Sequence, residues 1–348
     1  MPVNSISSST ISTILQNTVT RLQLQLTTTS SESSTGLLAD IGFSLGAKAG
    51  QDVALHQQMA DLSALTSSNA VVTAQLGTAS AALTSLRGVT QTTLEQIIQN
   101  QSETPGSNGA LALQQTAAGA LSSFTSLMNT SVGGVYVFRG INSGAAQSVP
   151  AAGDLQTAVE TAFQTTFGFP VTSASVSTIT GAAMTSFLSS SQFTDVFSGA
   201  QWANWSLASD TATSNRIGAN QTTTTAISAN QPAFQSTAQA LTMISAFGAL
   251  NLSSDAAAAL MTSAQKAISA GNNGLIQAGA AVGTMQNQVT QANSAISLQQ
   301  SILTGQIDAN ETVNSYDVAS QVSALTTQLQ TAYALTAQIA KLSLVNFL

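Results

Sequence analysis

The residues that could do chemistry are few and scattered. Gly42-Phe43-Ser44-Leu45-Gly46 has the Gly-x-Ser-x-Gly spacing of a nucleophile elbow, in which a serine on a sharp strand-to-helix turn attacks a carbonyl while a histidine takes its proton. That chemistry needs a strand before the motif and, well beyond it, an acid and then a histidine. The single histidine, His56, follows Ser44 by twelve residues on a predicted helix, with Asp52 the one acid between them. The motif therefore reads as a glycine-punctuated loop. His56 alone cannot build a histidine-based metal site, and with no cysteine in the chain there is neither a thiolate ligand nor a disulfide. Asp308, Glu311 and Asp317 are the densest acidic group, but they span a predicted helix junction, where such residues cap and solvate helix ends. Asn100, Asn129, Asn204, Asn220, Asn251 and Asn310 each open an Asn-x-Ser/Thr triplet, which a Ser/Thr-rich chain produces by chance. No catalytic, cofactor-binding or metal-binding residue is assigned, and an enzyme is not expected.

Composition narrows the classes further. Net charge is −7, and the seven Lys and Arg are dispersed from Arg21 to Lys341, so no basic patch exists for phosphates and nucleic acid is excluded as a partner. No apolar run reaches the roughly 18 residues of a membrane span. The start, Met1-Pro2-Val3-Asn4-Ser5, lacks the basic and apolar regions of a cleaved signal peptide, so export by another route is expected. Hydrophobic residues at 43% suffice for real cores, whereas charged residues at 6% fall far below the usual quarter. A surface solubilised by Ser, Thr, Gln and Asn is weakly protected by charge repulsion, which suits a subunit packed among neighbours. A low-complexity secreted protein is the plainer alternative.

The elements that must carry any function are therefore helices, and the two at the chain ends stand out. Ile11, Leu15, Val19, Leu22 and Leu26 step by three or four residues along one helical face. At the other end Val318, Val322, Leu325, Leu329, Ala332 and Ile339 do the same, with Leu335 and Leu342 widening the stripe. Burial of one such stripe does not offset the entropy of ordering its helix, so each needs a partner. The two ends are expected to pair, which leaves the middle of the chain as an excursion.

The fold class expected is mainly α: a long antiparallel helical bundle or coiled coil formed by both chain ends, with a short β-hairpin and an inserted α+β domain. Residues 1–35 form an N-terminal assembly helix, beginning near Ser5. Residues 36–144 form the first half of a helical rod, with a broken stretch at 37–50, a long helix at 51–99, a returning helix at 110–130 and a hairpin near 133–142. The insert, 145–230, has helices at 154–167 and 181–189 and extended segments at 201–207 and 222–227. Residues 231–313 form the second half of the rod: a helix at 234–250, a second capped by Ser254, a turn at Gly271-Asn272-Asn273-Gly274, and a helix at 275–308. Residues 314–348 are the C-terminal assembly helix. Gly279 and Gly283 are expected to let two helices approach closely.

Three stretches resemble the flagellin-like axial proteins of the bacterial flagellum. One is the end of the chain, from Ser315-Tyr316-Asp317-Val318 through Tyr333-Ala334-Leu335-Thr336-Ala337 to Leu342-Ser343-Leu344-Val345-Asn346-Phe347-Leu348. The others are Ser34-Thr35-Gly36 followed by Ala39-Asp40-Ile41-Gly42, and Val135-Tyr136-Val137-Phe138 with Gly140-Ile141-Asn142. The resemblance covers roughly 1–145 and 230–348, and is nearest to the hook-associated proteins that join hook to filament in alphaproteobacteria. It departs from filament flagellin in lacking an Asn-Ser-Ala-x-Asp-Asp-like stretch after Gly36, and Arg139 stands where the hairpin would carry a small residue. The resemblance implies a motility role and type III export of a largely disordered chain. It further implies self-assembly beside its own copies in a ring, next to a hook-associated protein and flagellin, with an export chaperone beforehand. The terminal helices would line an inner tube, the rod the next shell, and the insert would project outward. A filament flagellin and a nonflagellar type III-secreted or surface helical protein are the alternatives.

Overall fold

The computed structural model describes residues 8–101, 104–142, 149–224 and 227–345, and side chains within them except those of 8, 9, 200, 204, 205 and 340–345. In chain order the elements are α1 (Ser8–Thr35), α2 (Ile41–Leu45), α3 (Ala49–Gln99), α4 (Asn108–Met128), β1 (Ser131–Val132), β2 (Val135–Tyr136), α5 (Ala152–Phe167), α6 (Gly181–Leu188), α7 (Ser191–Thr194), α8 (Gly199–Trp205), β3 (Ser214–Gly218), β4 (Gln221–Thr224), α9 (Pro232–Phe247), α10 (Ser254–Glu311) and α11 (Ser315–Val345). The expected helix start at Ser5, the hairpin exit at Ser143-Gly144 and the terminal Phe347-Leu348 lie outside the described residues. The fold is mainly helical, with two small two-stranded sheets. Contacts divide it into two units, 1–63 with 297–348, and 64–296.

So many threonines are tolerated in long helices because their hydroxyls bond back to the carbonyl four residues earlier. Thr73 to Asn69, Thr84 to Ser80, Thr93 to Val89, Thr284 to Ala280 and Thr290 to Gln286 are examples, at 2.8–3.1 Å. The hydroxyl is satisfied locally and leaves the helical ladder intact.

Within the first unit, α1 packs on α11 and the start of α3 packs on the end of α10. Leu55, Leu303 and Ile307 form a small apolar cluster with Met59 and Leu62. Register is fixed by polar pairs, the Asn310 amide donating to Asp52 at 3.1 Å and the Gln300 amide to Ser63 at 3.4 Å. Ascending residues of α3 thus meet descending residues of α10, an antiparallel pair.

The second unit has one continuous core. Asn69 donates its amide both to Asn293 at 2.7 Å and to the Ile217 carbonyl at 2.9 Å, and Gln101 donates to Gln265 at 2.7 Å, so α3 and α10 run antiparallel here as well. A buried polar pair of this kind penalises slipped registers, because any slip leaves an amide unsatisfied. Val72, Leu76, Leu83 and Leu86 of α3 face the same core as Leu113, Leu121 and Phe124 of α4. Phe163, Phe187, Phe193 and Trp202 of 149–224 belong to that core too. Helix α9 is buried on nearly every face, from Ala233 to Phe247, and the hydroxyls of Thr237 and Thr242 are satisfied by the Ala233 and Ala238 carbonyls.

Hairpin β1–β2 pairs Val132 with Val135 across Gly133-Gly134, whose φ values of 59° and 81° suit a two-residue turn of the primed type. Arg139, which stands where the hairpin would carry a small residue, is buried, with its guanidinium 5.6 Å from the Tyr136 ring centroid. Hairpin β3–β4 pairs Ser214 with Thr224 and Arg216 with Thr222; residues 225 and 226 of the expected strand lie outside the described residues.

Four local expectations are corrected. The segment 201–207 reads as extended, yet residues 201–205 are helical, in α8. Trp202 and Ser206 are both buried, the Ser206 N–H donates to the Trp202 carbonyl at 2.7 Å, and the Trp202 indole donates to Asn230 at 3.1 Å. The cap of α10 is Ser253 and not Ser254, since the Ser253 hydroxyl accepts from the Ala256 N–H at 3.3 Å. Gly271-Asn272-Asn273-Gly274 is not a turn, and α10 runs through it without interruption. Its glycines serve a close approach instead: a Cβ on Gly271 would sit 2.4 Å from the Thr237 hydroxyl oxygen, and one on Gly274 would sit 2.5 Å from the Ala233 Cβ. By contrast, a Cβ on Gly279 or Gly283 meets nothing within 4 Å, so this pair makes no close packing in the chain.

The glycines give a paired prediction. Gly274→Ala lowers thermal stability, because overpacking costs about 1–3 kcal/mol against a helix-propensity gain of about 1 kcal/mol. Gly279→Ala raises it by up to about 1 kcal/mol. Calorimetry of the two variants checks both signs.

Candidate assembly interface

The stripes foreseen at the chain ends come together in the first unit. Helix α1 ends at Gly36, whose φ of 73° is left-handed and reverses the chain. The turn that follows is tied to the α10–α11 junction by two backbone bonds, Leu38 N–H to the Glu311 carbonyl at 2.8 Å and Val313 N–H to the Gly36 carbonyl at 3.0 Å. Further along, the Gln23 amide donates to the Tyr333 hydroxyl at 2.7 Å. The two helices therefore run antiparallel from this tie, the C-terminal end of α1 beside the N-terminal end of α11.

A single helix covers only one side of its partner's stripe. Leu22 and Val318 are buried, while Ile11, Leu15, Val19, Leu26, Val322, Leu325, Leu329, Ala332 and Ile339 are half-buried. The side chain of Leu342 lies outside the described ones. Ile14, Leu24, Tyr333 and Leu335 remain exposed on the same pair, and Phe43 and Tyr316 near the junction are 88% and 83% exposed. Large apolar side chains left exposed on one helical pair are a candidate surface for contact with other molecules.

The Ser44 motif does not form an elbow. It lies on the short helix α2, whose N-terminus is capped by Asp40 accepting from the Phe43 N–H at 2.9 Å, with no paired strand feeding it. His56, treated alone in the sequence, is not alone in space. Its Nε2 is 2.8 Å from Glu311 Oε1 and 3.7 Å from Asp52 Oδ2. Asp52 and His56 are one helical turn apart, a pairing visible in the sequence, but Glu311 arrives from 255 residues away and no periodicity announces it.

The bond to Glu311 raises the His56 pKa above its ordinary value of 6.5; burial opposes it, and the charges of Glu311 and Asp52 add to the rise. A group whose pKa is raised on folding stabilises the fold fully below its unfolded value and loses that contribution as pH rises through the folded value. Thermal unfolding in a chelator should accordingly show lower stability at pH 8.5 than at pH 6, with the difference reduced in His56→Gln.

No helix among the described residues is long and apolar enough to cross a membrane. Comparison with protein families matches residues 6–143 to the bacterial flagellin N-terminal helical region and residues 265–348 to the bacterial flagellin C-terminal helical region. No curated protein matches the chain. The two matched regions contain α1, α3, α11 and most of α10, the elements of the terminal helical pair and of the antiparallel α3–α10 pair. The chain belongs to the flagellin-like axial family, whose members are structural, non-enzymatic components of the extracellular bacterial flagellum.

Proposed function

We propose that this protein is the subunit that joins hook to filament, built into a short ring between a hook-associated protein and flagellin. The observation that carries this reading is the stretch after α1. Ser34-Thr35-Gly36 leads into Ala39-Asp40-Ile41-Gly42 without the Asn-Ser-Ala-x-Asp-Asp-like sequence of filament flagellins. The mechanism is noncovalent. The half-buried stripes of α1 and α11 are completed by neighbouring copies, and a head-to-tail contact repeated with a rotation generates a ring or helical arrangement. The five segments 1–35, 36–144, 145–230, 231–313 and 314–348 then have distinct roles, with 145–230 facing outward.

Electron microscopy of isolated flagella labelled with an antibody to residues 145–230 tests this. A single label at the hook-filament boundary is expected. Label along the whole filament identifies a filament flagellin instead, and absence of label from flagella overturns both.

A further inference from the structure

At the start of α3 and the last turn of α10, the Asp52 and Glu311 carboxylates and the His56 imidazole each offer one ligand atom, all within 4.8 Å of one another. Asp52 is only 3% exposed and is oriented by the Asn310 amide, which donates to Oδ1 at 3.1 Å and leaves Oδ2 facing His56. Buried or partly buried charges persist when they are paired or coordinate a metal. Among the described residues the basic group that ion-pairs with these carboxylates is His56, so even a protonated imidazole leaves the group with one net negative charge. A divalent cation on a neutral imidazole brings it to zero.

We propose that Asp52, His56 and Glu311 bind one zinc ion, with water in the fourth position. Imidazole nitrogen and carboxylate oxygen are both zinc ligands at about 2.0–2.2 Å, and a tetrahedral set places ligand atoms roughly 3.4 Å apart. The two separations from His56, 2.8 Å and 3.7 Å, bracket that value, and with all three ligand atoms within 4.8 Å of one another side-chain rotations close the site. The Asn310 bond to the distal oxygen of Asp52 is the kind of outer contact that fixes a ligand's direction. His56 is half-exposed and gives the ion a path from solvent. Because the Glu311 carbonyl also accepts the Leu38 N–H, the ion fastens α3 to the junction where α10 gives way to α11.

The test is calorimetric titration of the chelator-treated full chain with zinc chloride at pH 7.5, repeated with cobalt chloride to read the visible absorption of a tetrahedral site. One ion per chain is expected, with affinity falling as His56 takes its proton below neutral pH. Affinity should drop about tenfold or more in Glu311→Gln and in His56→Gln. Both substitutions lie at exposed or partly exposed positions, and unchanged far-ultraviolet circular dichroism confirms that each variant is folded. No saturable binding, or equal binding by wild type and both variants, overturns the site.

Discussion

Replacement of Leu325 and Leu329 by aspartate should reduce incorporation into flagella at least about tenfold while the second unit stays folded. Both leucines are half-buried in the first unit, on the α11 stripe that lies along α1. A neutral polar group transferred to an apolar contact without a hydrogen bond costs about 1–3 kcal/mol by mutational measurement, and a carboxylate costs more. Two of them oppose both the pairing of α11 with α1 and the burial of the pair by neighbouring subunits. About 1.4 kcal/mol per tenfold change makes the assembly defect large even if each penalty is halved by local adjustment. Quantification of the protein in purified flagella, beside its level in the culture medium, reads the effect. Wild-type incorporation of the double variant would sink the helix-pairing account.

Phe163→Ala should act on stability and not on assembly. Phe163 is fully buried in the second unit, with ring centroids of Phe167, Phe247 and Phe187 at 4.6 Å, 5.4 Å and 5.7 Å. Truncating a core phenylalanine costs about 3–5 kcal/mol, because the lost transfer energy adds to that of the cavity. For a unit of this size that corresponds to roughly 6–20 °C in the unfolding temperature. Since α1 and α11 lie in the other unit, incorporation at a permissive temperature should persist. A shift below about 2 °C in calorimetry would mean that the aromatic cluster does not hold this core together.

What the sequence made legible was periodic and local. The steps of three and four from Ile11 to Leu26 and from Val318 to Ile339 found both terminal helices and the fact that they pair, because helical burial follows from spacing alone. A hairpin near 133–142 was legible from the strand formers Val135 to Phe138, but its turn was misplaced: it falls at Gly133-Gly134, before them, because both glycines take the positive φ such a turn requires. The misreadings have one physical source, tertiary contact overriding local preference. Gly271-Asn272-Asn273-Gly274 has the composition of a turn, but Thr237 and Ala233 of α9 press against that stretch and the glycines are there to admit them. Trp202, in a stretch read as extended, lies in a helix, buried and bonded to Asn230. Glu311 was assigned to a solvated junction, and its side chain instead reaches His56 across 255 residues of sequence.

The central claim is that the paired terminal helices form an incomplete surface that assembly completes. Hydrogen exchange followed by mass spectrometry, on the purified monomer and on isolated flagella, tests it most directly. With Leu22 and Val318 the buried members of the stripes, amides of 8–35 and 315–345 should exchange rapidly in the monomer, while those of α9 in the second unit stay protected. In flagella the terminal amides should become protected by orders of magnitude. Equal protection of these helices in monomer and flagella would contradict the account, because the pair would then be complete without its neighbours.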